Sequence, residues 1–451
     1  MSELTGRGAT DADIYLQHRR SHSLRLADGV AELPALAIEQ GAGLRVVVDG
    51  RTGFAATADL SLEAMLGAAR DAAQLATGSP ATAPARFVDA PMNNDFYNIA
   101  THWSELADER RWPILQQAAA AAYAAEPSIS KVTVDWQDSD ERILIATLDG
   151  RLHTDYRPLT RLSVQVDVQR GSELHSGFAS VSARQGIAWY DAARTADVAK
   201  RAVERAQLRF DARQPPLGEM PVVLAAGTSG IVLHEALGHA LEADFSLPGT
   251  GPYAGQLGEQ IAAPIVTLVD DATMPHERGA LNIDDEGTDG QRTVLIERGI
   301  LRSFLHDRSS AAAAGVAPTG SGRRESFQHA PLPRMSCTQI VNGNDSIDDL
   351  LLAAGRGVLA ETYSAGQADP ASGDFTFRIN TGWFIQDGKR SFPVRDLALS
   401  GNGPELLRNV QQLANDGRMD EAGWTCGKRG QRVPVSHGMP SALVSGLRID
   451  E

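Results

Sequence analysis

Alternation of apolar and polar positions dominates the first half of the chain. Ala12 to Gln17 and Ser23 to Leu26 alternate over short stretches, as half-buried strands do. Gly43 to Val48 runs into Asp49-Gly50 and continues as Arg51 to Ala55, a hairpin pattern, because Asp-Gly tolerates the positive φ angles of a type I′ turn. The period then lengthens. Leu62, Met65, Leu66, Ala69 and Ala72 recur on one face of a predicted helix over 60–75, with Ser61 placed to cap it. Residues 79–85 have loop composition. Trp112 to Glu126 reads as an alanine-rich helix stopped by Pro127, Val132 to Trp136 as a strand, and Asp191 to Gln207 as a helix. Between them, Arg142 to Leu148 and Leu152 to Asp155 form a second hairpin turning on Asp149-Gly150, and Thr160 to Arg170 continues in strand-like alternation.

Pro215-Pro216 cannot continue a helix, and beyond it glycine becomes frequent. Ile265 to Asp270, Thr293 to Glu297, Leu301 to His306, Gln339 to Asn342, Gly357 to Thr362 and Asp374 to Asn380 read as short strands separated by turns. One helical stretch, Ile231 to Asp244, interrupts them. The expected fold is therefore α+β. An N-terminal mixed α/β domain, 1–212, precedes a mostly antiparallel β domain, 218–451, that carries this helix.

Composition narrows the function. With 451 residues, 42% hydrophobic and 22% charged, the chain is an ordinary globular one with ample core. A net charge of −15, with no dense basic run, argues against nucleic acid as a direct partner. The N-terminus lacks a basic start followed by an apolar segment, and no window approaches the roughly 20 apolar residues that cross a bilayer. A cytoplasmic protein without membrane contact is expected, in which Cys337 and Cys426 stay unpaired.

The helical stretch bears the candidate chemistry, His234-Glu235-Ala236-Leu237-Gly238-His239. Histidines four apart lie about 40° around an α-helix, at roughly 100° per residue, and reach one metal ion together. Five apart they diverge by about 140° on the same arithmetic, unless the turn widens toward π geometry or loosens at Gly238. A hydrolytic zinc takes three protein ligands and leaves one position for water, so a third ligand must come from elsewhere. Cys426 is the candidate: Gly427 allows close backbone approach, and Lys428 and Arg429 would favour its thiolate. A small buried hydrophobe is the competing reading for Cys426, and the preferred one for Cys337 in its more apolar surroundings. Arg323, Arg324 and Arg334 could hold a substrate carboxylate or simply pair with the chain's own acids. Asp285 to Gly290 lacks the alternating acids and closing glutamate of a calcium loop and reads as a tight turn.

In order along the chain, the 234–239 motif with Leu241 to Asp244, then Asp285-Glu286-Gly287-Thr288, Gly322 to Ser326, Pro333-Arg334-Met335 and Cys426-Gly427-Lys428 resemble the TldD branch of the TldD/PmbA metalloproteases. Gly41 to Val46 extends the resemblance more loosely into the first half. The resemblance implies one Zn2+ per chain held by His234, His239 and Cys426, with Glu235 as the catalytic base. It also implies hydrolysis of unfolded peptides in an enclosed cavity. Strand edges in the second half suit the capture of such extended chains. Pairing of a metal-bearing subunit with a related TldE/PmbA-type subunit is implied too, this chain being the metal-bearing one. A heterodimer is expected, a homodimer being the alternative. Two other functions stay open: a maturation hydrolase dedicated to one modified peptide or natural-product precursor, and a non-catalytic peptide-binding or regulatory protein of the kind associated with DNA gyrase. Iron or cobalt would also suit two imidazoles and a thiolate.

Overall fold

The computed structural model describes residues 1–5, 8–75, 85–247, 249 and 251–451, and the loop read at 79–85 lies, apart from Ala85, outside them. The N-terminal half is built on one sheet in which Arg51–Thr57, Ala35–Val48, Asp11–Ala27, Ile129–Thr147 and Arg151–Arg170 lie side by side, antiparallel throughout, with Glu173–Ala183 also paired to Arg151–Arg170. Its strands are long. Asp11–Ala27 is one strand of 17 residues where the sequence suggested two short runs.

The first hairpin turns on Asp49 (φ 48°) and Gly50 (φ 75°), as a type I′ turn requires. The second differs. Three residues separate Thr147 from Arg151, Gly150 alone has positive φ (84°), and its N–H donates to the Thr147 carbonyl at 3.0 Å. This is the three-residue hairpin with a left-handed glycine rather than the two-residue form.

Helices cover one face of the sheet. Leu62–Leu75, whose Ala64 N–H is capped by Ser61 Oγ at 3.3 Å, packs on Leu44 and Val46. Trp112–Ala125 and Ala192–Asp211, the latter capped by Asp191, bury Trp103, Trp136 and Val164. The opposite face meets the C-terminal half through Tyr15, Ile143 and Ile145, which pack on Ile283 and Phe327. Charges flank this contact: Arg45 pairs with Asp13 at 2.5 Å and Glu286 at 2.7 Å, and Arg157 with Asp285 at 2.5 Å. Asp285 and Glu286 belong to a tight turn closed by the Asp284 N–H donating to Thr288 O at 2.8 Å, with Gly287 at φ 82°.

Past Asp211 the next element is the strand Gly218–Leu224. It lies between Gly357–Ala368 and Ala442–Asp450, followed by Leu397–Asn402 and Asp374–Gln386, which pairs back onto Gly357–Ala368 and closes a barrel. A second sheet contains Leu268–Asp271, Arg292–Glu297, Cys337–Ile340 and Ser436–Met439. The fold is mixed α+β, its second half mostly antiparallel β with two parallel strand pairs among the described residues. Leu301 to His306 is not the expected strand; only Ile300–Leu301 is extended. Leu305 instead exchanges backbone hydrogen bonds with Leu241 and Ala243, both at 2.9 Å, so this segment serves the helical one. Among the described residues no helix is long and apolar enough to cross a membrane.

Candidate metal centre

The segment predicted as one helix is broken where its chemistry lies. Gly230–Leu233 is α-helical, His234–Gly238 forms a π-type turn, and His239–Leu241 tightens to a 3-10 turn. A π-type turn bonds residues five apart and so returns His239 to the side of the helix that His234 occupies. Their rings lie 5.2 Å apart, nearly perpendicular. Gly238 permits this packing, because a Cβ there would fall 2.0 Å from the Met335 sulfur.

Cys426 arrives on a separate hairpin, Thr425–Lys428 against Gln431–Pro434. Arg429 (φ 49°) and Gly430 (φ 79°) make its two-residue turn. Strand alternation buries Cys426 and Lys428 together, on the side facing the helical segment. Cys426 Sγ lies 3.4 Å from His239 Nε2, and Lys428 Nζ lies 2.8 Å from Glu242 Oε2 and 2.6 Å from Asp244 Oδ1. Arg334, fully buried, anchors the hairpin by donating to Cys426 O at 2.8 Å.

His234, His239 and Cys426 thus offer three donor atoms within 4.8 Å of one another, all buried. Ligand distances of about 2.0–2.3 Å in a tetrahedral zinc site put donor atoms about 3.4–3.7 Å apart, close to the Cys426–His239 separation. Both ring nitrogens of His234 are buried without a hydrogen-bond partner among the described residues, a costly state unless something else engages them. His239 Nδ1 meets Glu242 Oε2 at 2.8 Å, which directs Nε2 toward Cys426. The residues therefore fit a metal ion. Glu235 completes the group: its Oε2 is 3.9 Å from His239 Nε2, and its side chain, 32% exposed, is the most accessible of the four.

The electrostatics follow from burial and these partners. Burial pushes His234 down to about 4. For His239, burial opposes the charge, yet Glu242 and Cys426 hold it well above the usual imidazole value. Glu242 is fully buried, but His239 and Lys428 bring its carboxyl down to about 2. Burial would raise the Cys426 thiol, and the hydrogen bond and charge of His239, with the charge of Arg334, outweigh it and leave it lowered. Lys428 and Arg429 are not the cause. Lys428 is engaged by Glu242 and Asp244, and Arg429 is exposed and leans on Asp244 at 3.3 Å.

Arg323, Arg324 and Arg334 are all buried. Ion pairing accounts for Arg324, bound to Asp13 at 2.8 Å; Arg323 and Arg334 donate mainly to carbonyls. Cys337 lies fully buried in its strand, apart from the cluster. Sequence reasoning missed Glu242, although an acid one helical turn past a candidate ligand histidine is a recognisable signal. It also missed His437, whose ring lies 6.0 Å from that of His234 with both nitrogens unpartnered among the described residues. Only the fold brings that residue here.

Family models describe the chain in three parts: PmbA/TldA metallopeptidase domain 1 over residues 12–76, the central domain over 101–210 and the C-terminal domain over 217–451. A metalloprotease TldD homolog of Haemophilus influenzae is 36% identical over 448 residues, 98% of this chain and 92% of that one. The solved structure of TldE from Thermococcus kodakarensis superposes with a TM-score of 0.76 at 19% identity, covering 98% of this chain and 97% of that one. A Thermotoga maritima structure described as a modulator of a DNA gyrase gives 0.80 at 23% identity, covering 97% and 96%.

Proposed function

The chain belongs to the PmbA/TldD metallopeptidase family, and on that premise we propose that it is a zinc-dependent peptidase acting on unfolded or extended peptides, with His234, His239 and Cys426 as ligands and Glu235 as general base. The observation that carries this reading is the convergence of three buried donor atoms from two separate elements beside one accessible carboxylate. When bound, the metal supplies Lewis acidity that brings the pKa of a water toward about 7 and polarises a carbonyl. Glu235 would serve as the base that accepts a proton from the attacking water and returns it to the leaving amine. Glu242 holds the tautomer and orientation of His239, and Lys428 neutralises Glu242. Arg334 keeps the Cys426 backbone in place.

The same reading treats 1–212 and 218–451 as the two domains, each with its own large core. Two buried free cysteines suit a reducing, cytoplasmic setting. A related TldE/PmbA-type partner subunit is supported by the exposed apolar side chains Val30, Leu33, Leu36 and Ile38 along one edge region.

The experiment compares wild type with Glu235→Gln on an unstructured fluorogenic peptide. Hydrolysis should fall by about 10²–10⁴-fold, the range for a lost general base, while metal content stays that of wild type. Full activity in the variant would overturn the reading.

A further inference from the structure

Between the polar face of the N-terminal sheet and the C-terminal half lies a cavity of about 210 Å³. The Cys426 hairpin borders it through Thr425, Val433 and Pro434. Seven arginines and three carboxylate residues line it, an inversion of the balance of a chain whose net charge is −15. A larger cavity of about 390 Å³ shares Ser21, Ser139, Leu159 and Arg278 with it and continues along Ala35, Leu36 and Ala37.

Three of these arginines satisfy their charge with neutral groups alone. Arg184 donates to Pro158 O at 3.2 Å and lies over the Tyr97 ring at 4.8 Å. Arg278 donates to Trp424 O, Ser182 Oγ and Thr425 Oγ1 at 2.8, 2.8 and 3.1 Å. Arg323 donates to Met335 O and Pro434 O, both at 2.6 Å. Burial, followed by repulsion from Arg161 and Arg184, lowers Arg278 to about 9. Burial also lowers Arg323 to about 10, Asp285 opposing and Arg334 and Arg184 adding to the effect.

Donors remain over. Arg184 Nε and both Nε and Nη1 of Arg324 are closed off and have no hydrogen-bond partner among the described residues. A buried cation without a counter-charge is costly, and Arg184, Arg278 and Arg323, which line the cavity and have no carboxylate partner among the described residues, leave a place for an anionic acceptor. A carboxylate is that acceptor in a peptide, since it meets guanidinium forks with paired charge-assisted bonds.

We infer that this cavity is an anion subsite that takes a carboxylate of the peptide substrate, either its terminal carboxylate or an acidic side chain, beside the hairpin that carries Cys426. The inference rests on the peptidase reading above. Holding the substrate by a group remote from the scissile bond fixes its register against Glu235 and the three ligands.

The test is direct binding, measured by fluorescence anisotropy on full-length zinc-loaded Glu235→Gln protein, which does not consume the probe. Three labelled forms of one unstructured hexapeptide are compared: free C-terminal carboxylate, C-terminal amide, and the amide with one internal glutamate. At least one anionic form should bind about tenfold or more tightly than the neutral amide, as expected for charge-assisted hydrogen bonds. Which form gains identifies the source of the carboxylate. Arg184→Gln should abolish the preference. Arg432→Glu, an exposed residue on the cavity wall, provides a second variant that spares the core and should cut the preference at least about threefold by charge reversal. Equal binding of all three probes, or a preference that survives both variants, would overturn the inference. Failure of every probe to bind would instead strike at the peptidase reading itself.

Discussion

Glu242 is the pivot of the proposed metal centre, and Glu242→Gln isolates its charge while keeping its shape. The carboxylate accepts from His239 Nδ1 and Lys428 Nζ, each at 2.8 Å, and from the Met335 N–H at 3.2 Å, all in a fully buried site. A neutral hydrogen bond contributes about 0.5–1.5 kcal/mol and a charged one about 1.5–3, so neutralising the acceptor of two charged donors costs about 2–3 kcal/mol. Lys428 keeps Asp244 and Pro333 O, so its ammonium is not stranded and the fold persists. His239 keeps only a neutral acceptor in place of the carboxylate that orients it, and changes of this kind reduce metal affinity by about 10–100-fold. Urea unfolding of the apo protein should give the stability difference, and zinc titration against a competing chelator the affinity difference. Wild-type zinc affinity in a folded Glu242→Gln protein would refute the argument that Glu242 sets the His239 ligand.

The π-type turn gives a second handle: Gly238→Val should destabilise by about 1–3 kcal/mol through overpacking against Met335, and Met335→Ala should restore part of that loss in a double-mutant unfolding cycle. Glu141 gives a pH dependence. Burial opposes its charge, but Arg19, at 2.7 Å, and Arg157 bring its carboxyl from 4.5 to about 2. A folded-state value below the unfolded one means the stabilisation is present above 4.5 and disappears as pH falls through 2. The stability advantage of wild type over Glu141→Gln should therefore shrink by about 3 kcal/mol between pH 6 and pH 2 in urea unfolding, and a constant difference would contradict it.

The elements most legible in the sequence were those whose information is local. Asp49-Gly50, the Ser61 cap and the period of 62–75 each act within a few residues, and each appears as the local chemistry requires. The widened turn at 234–238 was legible as a conflict, because two histidines five apart cannot share a face of a regular α-helix. What failed depends on partners distant in sequence. His18 to Ser21 broke the apolar alternation of the first strand, yet Arg19 is held there by Glu141, 122 residues away in the same sheet, and by the Glu325 carbonyl, 306 residues away in the C-terminal half. Leu301 to His306 read as a strand between turns, but its backbone is engaged by the end of the helical segment. The assignment of Lys428 failed for a similar reason: charge near Cys426 was visible, whereas its neutralisation by Glu242 and Asp244 was not.

The central claim is that His234, His239 and Cys426 hold one metal ion, and metal content per chain tests it most directly. Plasma mass spectrometry on untagged wild type and Cys426→Ala, purified side by side, should find about one zinc per wild-type chain and a sharp loss in the variant. Freshly purified, well-folded wild type that carries no metal and takes up none from added zinc, or a Cys426→Ala protein that keeps its full complement, would contradict the account.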